Sequence, residues 1–551
     1  MGCQSTAVLS FLLIVFCCSG SPVNARPAST DVIVYGGVPC GIAAAITAAR
    51  EGVSVVLIEP TKHVGGMATS GINTAETEHM LTWTIGGFAD EFYRRLARHY
   101  AETEERQATP NDDRLGPVYF FESSVAETIF LDMLEEANVE VRYGAAVATI
   151  HKTGTRITGI SLTDGTSLEA KVFIDASYEG DLMARAGVRF AIGREASDEF
   201  GEEAAGIRFD ATPRKARTVD AEGRLLAGIS GWAKDLKEGD AHAAPMNYNF
   251  RLTAAKDPKL QVPIPPPARY DASRYALLAD WMRRQTKANE PVKLSDVIDL
   301  YPRRNGKFEL NNKQAAIISL GHFGGQFAWP DAGYAERETI YQDHLDYTLG
   351  LLHFLATDDS VPLNVRREMK SLGLHRGEFT DNGHLPYQLY VREARRMRGA
   401  VVVTQKDVQD DRRKPDSIGI SSHFIDCHHV QRVALDENTF VNEGRIWRKG
   451  RAYQIPYRSL TPLPSECTNL LVPGAASFTH VAFCTLRLET VWMITGHAAG
   501  AAAAMAVKDR VDVQNVDVAT LQQRLRDQNQ VIDFMPGKPE LCEQLQGPPE
   551  F

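Results

Sequence analysis

Residues 31–59, DVIVYGGVPCGIAAAITAAREGVSVVLIE, run from a short apolar strand through a glycine turn and an alanine-rich helix to a second apolar strand and an acid. That succession is what a nucleotide-binding βαβ unit requires. Asp31–Tyr35 is rich in β-branched residues. Gly36 and Gly37 permit a tight turn where a side chain would clash, and Gly41 lets the following helix lie close against the strand. The helix N-terminus then turns unpaired N–H groups, together about half a positive charge, towards a pyrophosphate. Glu59 ends the second strand, where a carboxylate can accept hydrogen bonds from both ribose hydroxyls. Val38 stands where the middle glycine of G-x-G-x-x-G is usual. The glycines alone are therefore weak evidence. The register of strand, turn, helix, strand and acid argues against an ordinary buried βαβ unit without a ligand.

A chain of 551 residues exceeds what one hydrophobic core supports, so two closely joined domains are expected. The net charge of −10 argues against nucleic acid as a partner. Residues 7–18, AVLSFLLIVFCC, are too short an apolar run to span a bilayer comfortably. Val23-Asn24-Ala25 follows at a cleavage-site position, although no Lys or Arg precedes the apolar core. This reads as a signal peptide over 1–25, predicting a secreted or periplasmic protein with no stable membrane span after cleavage. An uncleaved anchor is the alternative. Cys3, Cys17 and Cys18 lie in that leader; Cys40, Cys427, Cys467, Cys484 and Cys542 are scattered without a C-x-x-C. Iron–sulfur spacing is thus absent, and mostly buried free thiols are expected.

Directly after the second strand, TKHVGGMATSG (61–71) offers Gly65 and Gly66 for close backbone approach and Met67 as an adaptable apolar contact, a loop suited to an aromatic ring system. Helices are predicted over 86–107 and 119–137, a strand over 139–150, and a hairpin whose last strand stops at Asp175-Ala176. The small residues and Asp181 that follow repeat the logic of the first turn and point to a large dinucleotide. Residues 185–460 form a substrate or cap region containing the stiff connector Pro263-Ile264-Pro265-Pro266-Pro267. Residues 461–510 return to the nucleotide-fold style, with a strand into Gly474, a loop bearing His480, and a small-residue helix suited to packing on a sheet. Residues 511–551 read as a peripheral tail, and 30–184 as the first part of the nucleotide-binding domain.

With VYGGVPCGIAAAI, EPTKHVGGM, FIDASYEGDL, DNGHLPYQLYVREARRM, DCHHVQR, IPYRSLTP and LLVPGAASFTHVAFCTLRLETVWMITGHAAG in order, the chain resembles a bacterial FAD-dependent oxidoreductase family related to the flavin subunit of heterodisulfide reductases, some of whose members are called xanthan lyase-like. The resemblance covers roughly residues 30–510. It implies an α/β fold: a glutathione-reductase-like, FAD-binding Rossmann domain with an inserted α+β substrate or cap domain. By that resemblance Gly36, Gly37 and Gly41 hold the FAD diphosphate, and Glu59 binds the adenosine ribose. Gly65, Gly66 and Met67 lie beside the flavin, Val147 meets the adenine edge, Ala176 and Asp181 border the nucleotide, and Gly474 approaches the pyrimidine side of the isoalloxazine.

A flavin that takes a hydride from a C–H bond needs a base for the accompanying O–H or N–H proton, and histidine suits that task near neutral pH. His480, in the loop entering the last helix, is the first candidate, weighed against a role in bonding the loop or the flavin. Arg487 and Glu489 follow on the same segment, to bind substrate or to pair with each other. His384 and His428 are second candidates. His428 and His429 beside Asp426 also resemble a metal site, but no further ligand has clear spacing and no metal is assigned. Tyr390, Arg392, Arg395 and Arg396 fall at helical spacing, which puts Arg392 and Arg396 on one face. That face is either a solvated one paired with Glu393 or, joined by Tyr457 and Arg458, a cationic wall for an acidic or polyhydroxy substrate. His63 is a candidate for tethering FAD. Three functions compete: an FAD oxidoreductase acting on a small polar molecule, a carbohydrate-active lyase retaining structural FAD, and a non-catalytic flavin-binding surface protein.

Overall fold

The computed structural model describes residues 28–74, 76–103 and 116–542; the signal-peptide reading lies outside them. β1 (Ala28–Tyr35), α1 (Pro39–Arg50) and β2 (Val55–Glu59) form the expected unit. Further along the chain lie α2 (Gly87–Thr103), α3 (Ser123–Glu136), β3 (Glu140–Tyr143), β4 (Val147–Thr153), β5 (Arg156–Leu162) and β6 (Ser167–Asp175). β3, β2, β1 and β6 run parallel in that order, with Val32 opposite both Val55 and Val172. Val32 and Val34 face one core, Ile33 and Tyr35 the other. Burial on both faces is why β1 reads as a near-continuous apolar run. β5 and β4 extend the sheet antiparallel, and Leu470–Leu471 pairs parallel with the end of β6, returning the C-terminal segment to the nucleotide turn.

The single strand expected over 139–150 is two strands, β3 and β4, broken at Gly144. β3 closes the parallel edge while β4 belongs to the antiparallel meander, so no straight strand serves both.

The helix Glu489–Asp509 is long and apolar enough to cross a membrane, yet it is buried in the core. It packs on α1 rather than chiefly on the sheet. A Cβ on Gly496 would sit 2.0 Å from Cys40 O, and one on Gly500 2.3 Å from Ala44 O. Hydrogen is the only side chain that permits this backbone-to-backbone approach. Gly500→Val is therefore expected to cost about 3 kcal/mol, the upper end of overpacking, because the obstacle is backbone. Urea unfolding measures the loss, and an unchanged midpoint would contradict so close a crossing.

Residues 185–460 are α+β. An antiparallel sheet orders Gln261–Val262, Gly373–His375, Leu252–Ala255, Lys307–Asn312 and Ile298–Pro302, flanked by the helices Ala276–Lys287 and Tyr334–Thr357. Tyr390–Arg396 is not helical. Tyr390 N–H donates to Asn249 O, and Arg395–Met397 pairs antiparallel with Phe190–Ile192. Arg392 and Arg396 consequently share no helix face; long-range pairing overrides their spacing. In the C-terminal segment, the helix Val518–Asp527 buries Leu521 and Leu525 against the body.

Candidate active site

The turn after β1 has the features that a diphosphate needs. Val38 at the N-cap supplies no side-chain hydrogen bond, and the first turn of α1 holds no acid, so that helix end is uncapped by the protein. Gly36 adopts φ +101°, and a Cβ there would lie 2.9 Å from Ser177 N. Glu59 is buried and accepts N–H bonds from Gly37 and Thr61, each at 2.7 Å. Each carboxylate oxygen keeps capacity for a further donor such as a ribose hydroxyl. Gly65 N–H donates to Gly37 O at 2.7 Å, which locks the second glycine loop onto the first. The Tyr178 hydroxyl accepts from Met67 N–H at 3.0 Å, beside Gly66, and donates to Glu489 Oε1 at 2.7 Å. Ala176 N–H donates to Tyr35 O, and Gly474 packs so tightly that a Cβ would meet Ala176 O at 2.8 Å. Gly41 is buried against Gly36 at the start of α1. Val147 begins β4 and accepts through its carbonyl from Tyr334 Oη at 3.0 Å. Asp181 is clamped by Arg337 at 2.6 and 3.0 Å and by Arg395 at 2.9 Å. Burial pushes its carboxyl up, but the two guanidinium groups outweigh that and hold it below its ordinary range. The structure thus brings these residues together along the carboxyl ends of β1, β2 and β6, where α/β sheets bind ligands.

Glu489 is neutral at pH 7. Burial, against a single hydrogen bond from Tyr178, pushes its carboxyl up from 4.5 to about 8. The folded chain therefore holds a proton that the unfolded chain releases. The stability cost is absent below the unfolded value, grows as pH rises from 4.5 to about 8, and is constant above. Glu489→Gln keeps the acceptor for Tyr178 and removes that cost. It is expected to raise stability by about 3 kcal/mol at pH 7 and to gain much less at pH 5. Urea unfolding at both values checks this; equal gains would mean the carboxyl is not the source.

At the other end of the site the predicted base is enclosed. His480 Nδ1 contacts Glu393 Oε1 and Oε2 at 2.9 and 2.8 Å, and its Nε2 lies 3.1 Å from Cys427 Sγ. Its backbone N–H donates to Glu195 Oε2 at 2.9 Å. Burial alone would lower the imidazole, but Glu393 and Cys427 drive it up to about 10. Burial likewise would raise the Cys427 thiol, but Cys484 and His480 pull it down to about 5. The contact of Cys427 Sγ with Gly444 O at 3.0 Å favours the thiol instead. Cys40, Cys427, Cys467 and Cys484 are all buried and none is in a disulfide.

A cavity of about 880 Å³ opens where the Gly65–Gly71 loop ends, at Ile72, Thr74 and Glu76. Its walls carry Arg251, Arg303 and Arg445, the rings of Tyr301 and Trp447, and Asp426 with His428. Of the six residues predicted to be catalytic, His428 alone lines it. Its Nδ1 lies 2.6 Å from the Gln314 amide, whose other end is 3.2 Å from His429 Nδ1. His429 Nε2 in turn meets Asp210 at 2.9 Å. Burial, reinforced by Arg392, keeps His428 well below its ordinary pKa, so it is neutral. Arg487 stands one layer back, donating to Tyr390 Oη at 3.0 Å and contacting Asp426 Oδ2 at 3.3 Å. Arg392 is fully buried, bonds Asn247 O and Asn249 Oδ1, and packs over Tyr390. Tyr457 is also buried, donating to Val513 O at 2.7 Å. The His384 ring, at a residue with φ +64°, contacts the Glu378 carbonyl at 3.0 Å and does not line the cavity. A continuous wall of Arg392, Arg396 and Tyr457 therefore does not exist. The cationic groups of the cavity come instead from Arg214, Arg251, Arg303, Lys313 and Arg445, which lie on separate strand or loop segments, share no local pattern and are each paired with a carboxylate of the same lining. His63 meets Glu127 at 2.9 Å and Asp381 at 3.1 Å, so both ring nitrogens are engaged.

A parallel sheet with an uncapped helix at its glycine turn, joined to an α+β unit that walls a large cavity, defines a dinucleotide-dependent enzyme of Rossmann type. Residues 31–525 match the family model described as FAD dependent oxidoreductase, and the chain belongs to that family. It is an FAD-dependent oxidoreductase. A stretch of 78 residues is 39% identical to the NADH:fumarate oxidoreductase of Klebsiella pneumoniae (strain 342), covering 14% of this chain and 8% of that protein. Among solved structures, a geranylgeranyl bacteriochlorophyll reductase-like protein of Thermoplasma acidophilum aligns over 91% of this chain and 84% of its own, at 11% identity and a TM-score of 0.34. A flavin monooxygenase from Stenotrophomonas maltophilia aligns over 27% of this chain and 38% of its own, at 17% identity and a TM-score of 0.18.

Proposed function

We propose that the enzyme oxidises a small acidic or polyhydroxy molecule, sugar-like in character, bound in the cavity beyond the Gly65–Gly71 loop. The observation that carries this is the lining. Arg445 and Arg214 are each held to one carboxylate, Asp426 and Asp210, through a single nitrogen and keep N–H donors for carboxylate or hydroxyl oxygens; Arg251 and Arg303 are paired with Glu309; and Trp447 and Tyr301 offer ring faces to a sugar's C–H surface. Bound FAD supplies the hydride acceptor, and Gly36, Gly37, Glu59, Gly65, Gly66 and Met67 would hold it. The chain's own residues bind, orient and move the proton. Arg445, 3.0 Å from Asp426 Oδ1 and 5.0 Å from the Trp447 ring centre, is fixed in direction. His428 Nε2 takes the proton from the substrate hydroxyl as its C–H bond breaks. Gln314 turns its nitrogen to His428 Nδ1 and its oxygen to His429 Nδ1; rotating the amide end for end, so that its oxygen accepts from His428 Nδ1 and its nitrogen donates to His429 Nδ1, leaves both rings neutral and gives His428 that free lone pair.

Mixing purified protein anaerobically with sugar acids and polyols tests the reading. Loss of flavin absorbance with stoichiometric oxidised product is expected. A second reading rests on the same arginines: neutralising a uronate carboxylate beside a base also suits a lyase of the xanthan lyase-like kind, with FAD structural. Unsaturated products formed without flavin bleaching would select it. The apolar leader supports secretion or a periplasmic site for either activity, with a small molecule as partner and no nucleic acid.

A further inference from the structure

The strand Ile425–Cys427 presents different chemistry on its two sides. Asp426 and His428 line the cavity, whereas Cys427 between them is fully buried against the segment that carries His480. There Cys427 Sγ lies 3.1 Å from His480 Nε2, and with Cys484 Sγ the three atoms fall within 4.8 Å of one another. We propose that Cys427, His480 and Cys484 form a binding site for one thiophilic divalent cation of the zinc type.

Local structure places two of the ligands together. His480 opens the short helix His480–Phe483 and Cys484 caps its end, so the pair stands at i and i+4 on one face. The third arrives from 53 residues earlier in the chain. Two thiolates and an imidazole are the donors that zinc prefers, and the absence of any oxygen ligand disfavours magnesium or calcium. Zinc–sulfur bonds of about 2.3 Å and zinc–nitrogen bonds of about 2.0 Å put tetrahedral ligand atoms about 3.5–3.8 Å apart. The present separations reach that range with shifts of a few tenths of an ångström to about one ångström. Cys427 and Cys484 now meet the carbonyls of Gly444 and His480 at 3.0 and 3.2 Å; metal binding exchanges those weak S–H contacts for metal–sulfur bonds.

The surroundings are built for a ligand histidine. Glu393 holds Nδ1 through both its oxygens and orients the ring so that Nε2 points at the sulfur; metal binding displaces the proton shared between Nε2 and Cys427 Sγ. Arg396 contacts Glu393 at 2.7 Å and offsets its charge, while two thiolates offset the dication. A nucleophilic role does not fit the same atoms. No exposed surface reaches Cys427, and its strand turns it away from the substrate cavity.

The test uses the FAD-loaded, full-length protein, stripped with a chelator and then titrated with Co²⁺ or Zn²⁺. One equivalent of zinc retained after desalting is expected, with cobalt ligand-field absorption at wavelengths beyond the flavin bands. Cys484→Ala is expected to lose that absorption while its flavin spectrum is unchanged, and Cys467→Ala to keep it. Should Cys484→Ala fail to fold, the titration of the unaltered protein decides. Failure to retain zinc and to develop the cobalt spectrum overturns the proposal, as does a Cys427–Cys484 disulfide found by thiol titration of the denatured protein. Neither result bears on the cavity or on its substrate.

Discussion

His428→Ala is expected to slow anaerobic flavin reduction by the true substrate by ~10²- to 10⁴-fold, the usual worth of a positioned general base. FAD content should not change, because His428 touches none of the residues around the glycine turn. The argument rests on place and partners. His428 faces the cavity that follows the Gly65–Gly71 loop, its Nδ1 is held by Gln314 at 2.6 Å, and Asp426 Oδ2 sits 3.5 Å from Nε2. With the Gln314 amide rotated to accept from Nδ1, Nε2 is left to take the substrate proton, and Asp426 at 3.5 Å stabilises the imidazolium that forms. His480 is the contrast. It was the more conspicuous residue in the chain, yet both its nitrogens are committed, to Glu393 and to Cys427. Stopped-flow absorbance with excess substrate measures the effect. A reduction rate within threefold of the parent would remove His428 from the chemistry.

The nucleotide half was legible in the sequence because its determinants are local. Strand, turn, helix and acid lie within residues 31–59, and each has a side-chain requirement that composition records. Gly36, Glu59 and Gly65 therefore stand where the pattern puts them. The second half is assembled from residues far apart in the chain. Glu393, Cys427 and His480 converge from three segments with no spacing to announce it. The Tyr390–Arg396 run misled because arginines at i and i+4 mimic a helix face. In the fold each meets a different partner: Arg392 the Asn247 and Asn249 segment, Arg396 the Glu195 carboxylate. Asp426-Cys427-His428-His429 was visible as a cluster, but alternation along an extended chain sends neighbouring side chains to opposite sides. Only the fold separates Cys427 from Asp426 and His428, which line the cavity. Tyr457 is a loss of another kind: a residue able to bind substrate is spent on the Val513 carbonyl in the core.

Replacing Arg396 by methionine is expected to cost about 3–5 kcal/mol, the range for breaking a buried ion pair from one side. Arg396 is fully buried, and so are its carboxylate partners. It donates to Glu195 Oε1 at 2.7 Å and to Phe478 O at 3.0 Å. Its Nε lies 2.7 Å from Glu393 Oε1, angled as an ion-pair contact rather than a hydrogen bond. Methionine fills much of the space but leaves Glu393 without its guanidinium partner among the described residues, and leaves Glu195 with Arg398 and the His480 N–H. Arg398 is the internal control. It touches the same Glu195 at 3.0 Å, but its side chain is 22% exposed and its second partner, Glu199, is on the surface. Water compensates there, so Arg398→Met should cost less than about 1 kcal/mol. Whole-domain stabilities are about 5–15 kcal/mol, so the Arg396 variant should show a large fall in urea midpoint and poor yield, while the Arg398 variant behaves like the parent. The orientation of His480 depends on Glu393, so loosening the glutamate should also weaken cobalt binding in whatever Arg396→Met protein folds. Equal losses for the two arginines would show that the interior of this network is wetter than its burial indicates, and that the histidine is not held by the charge behind it.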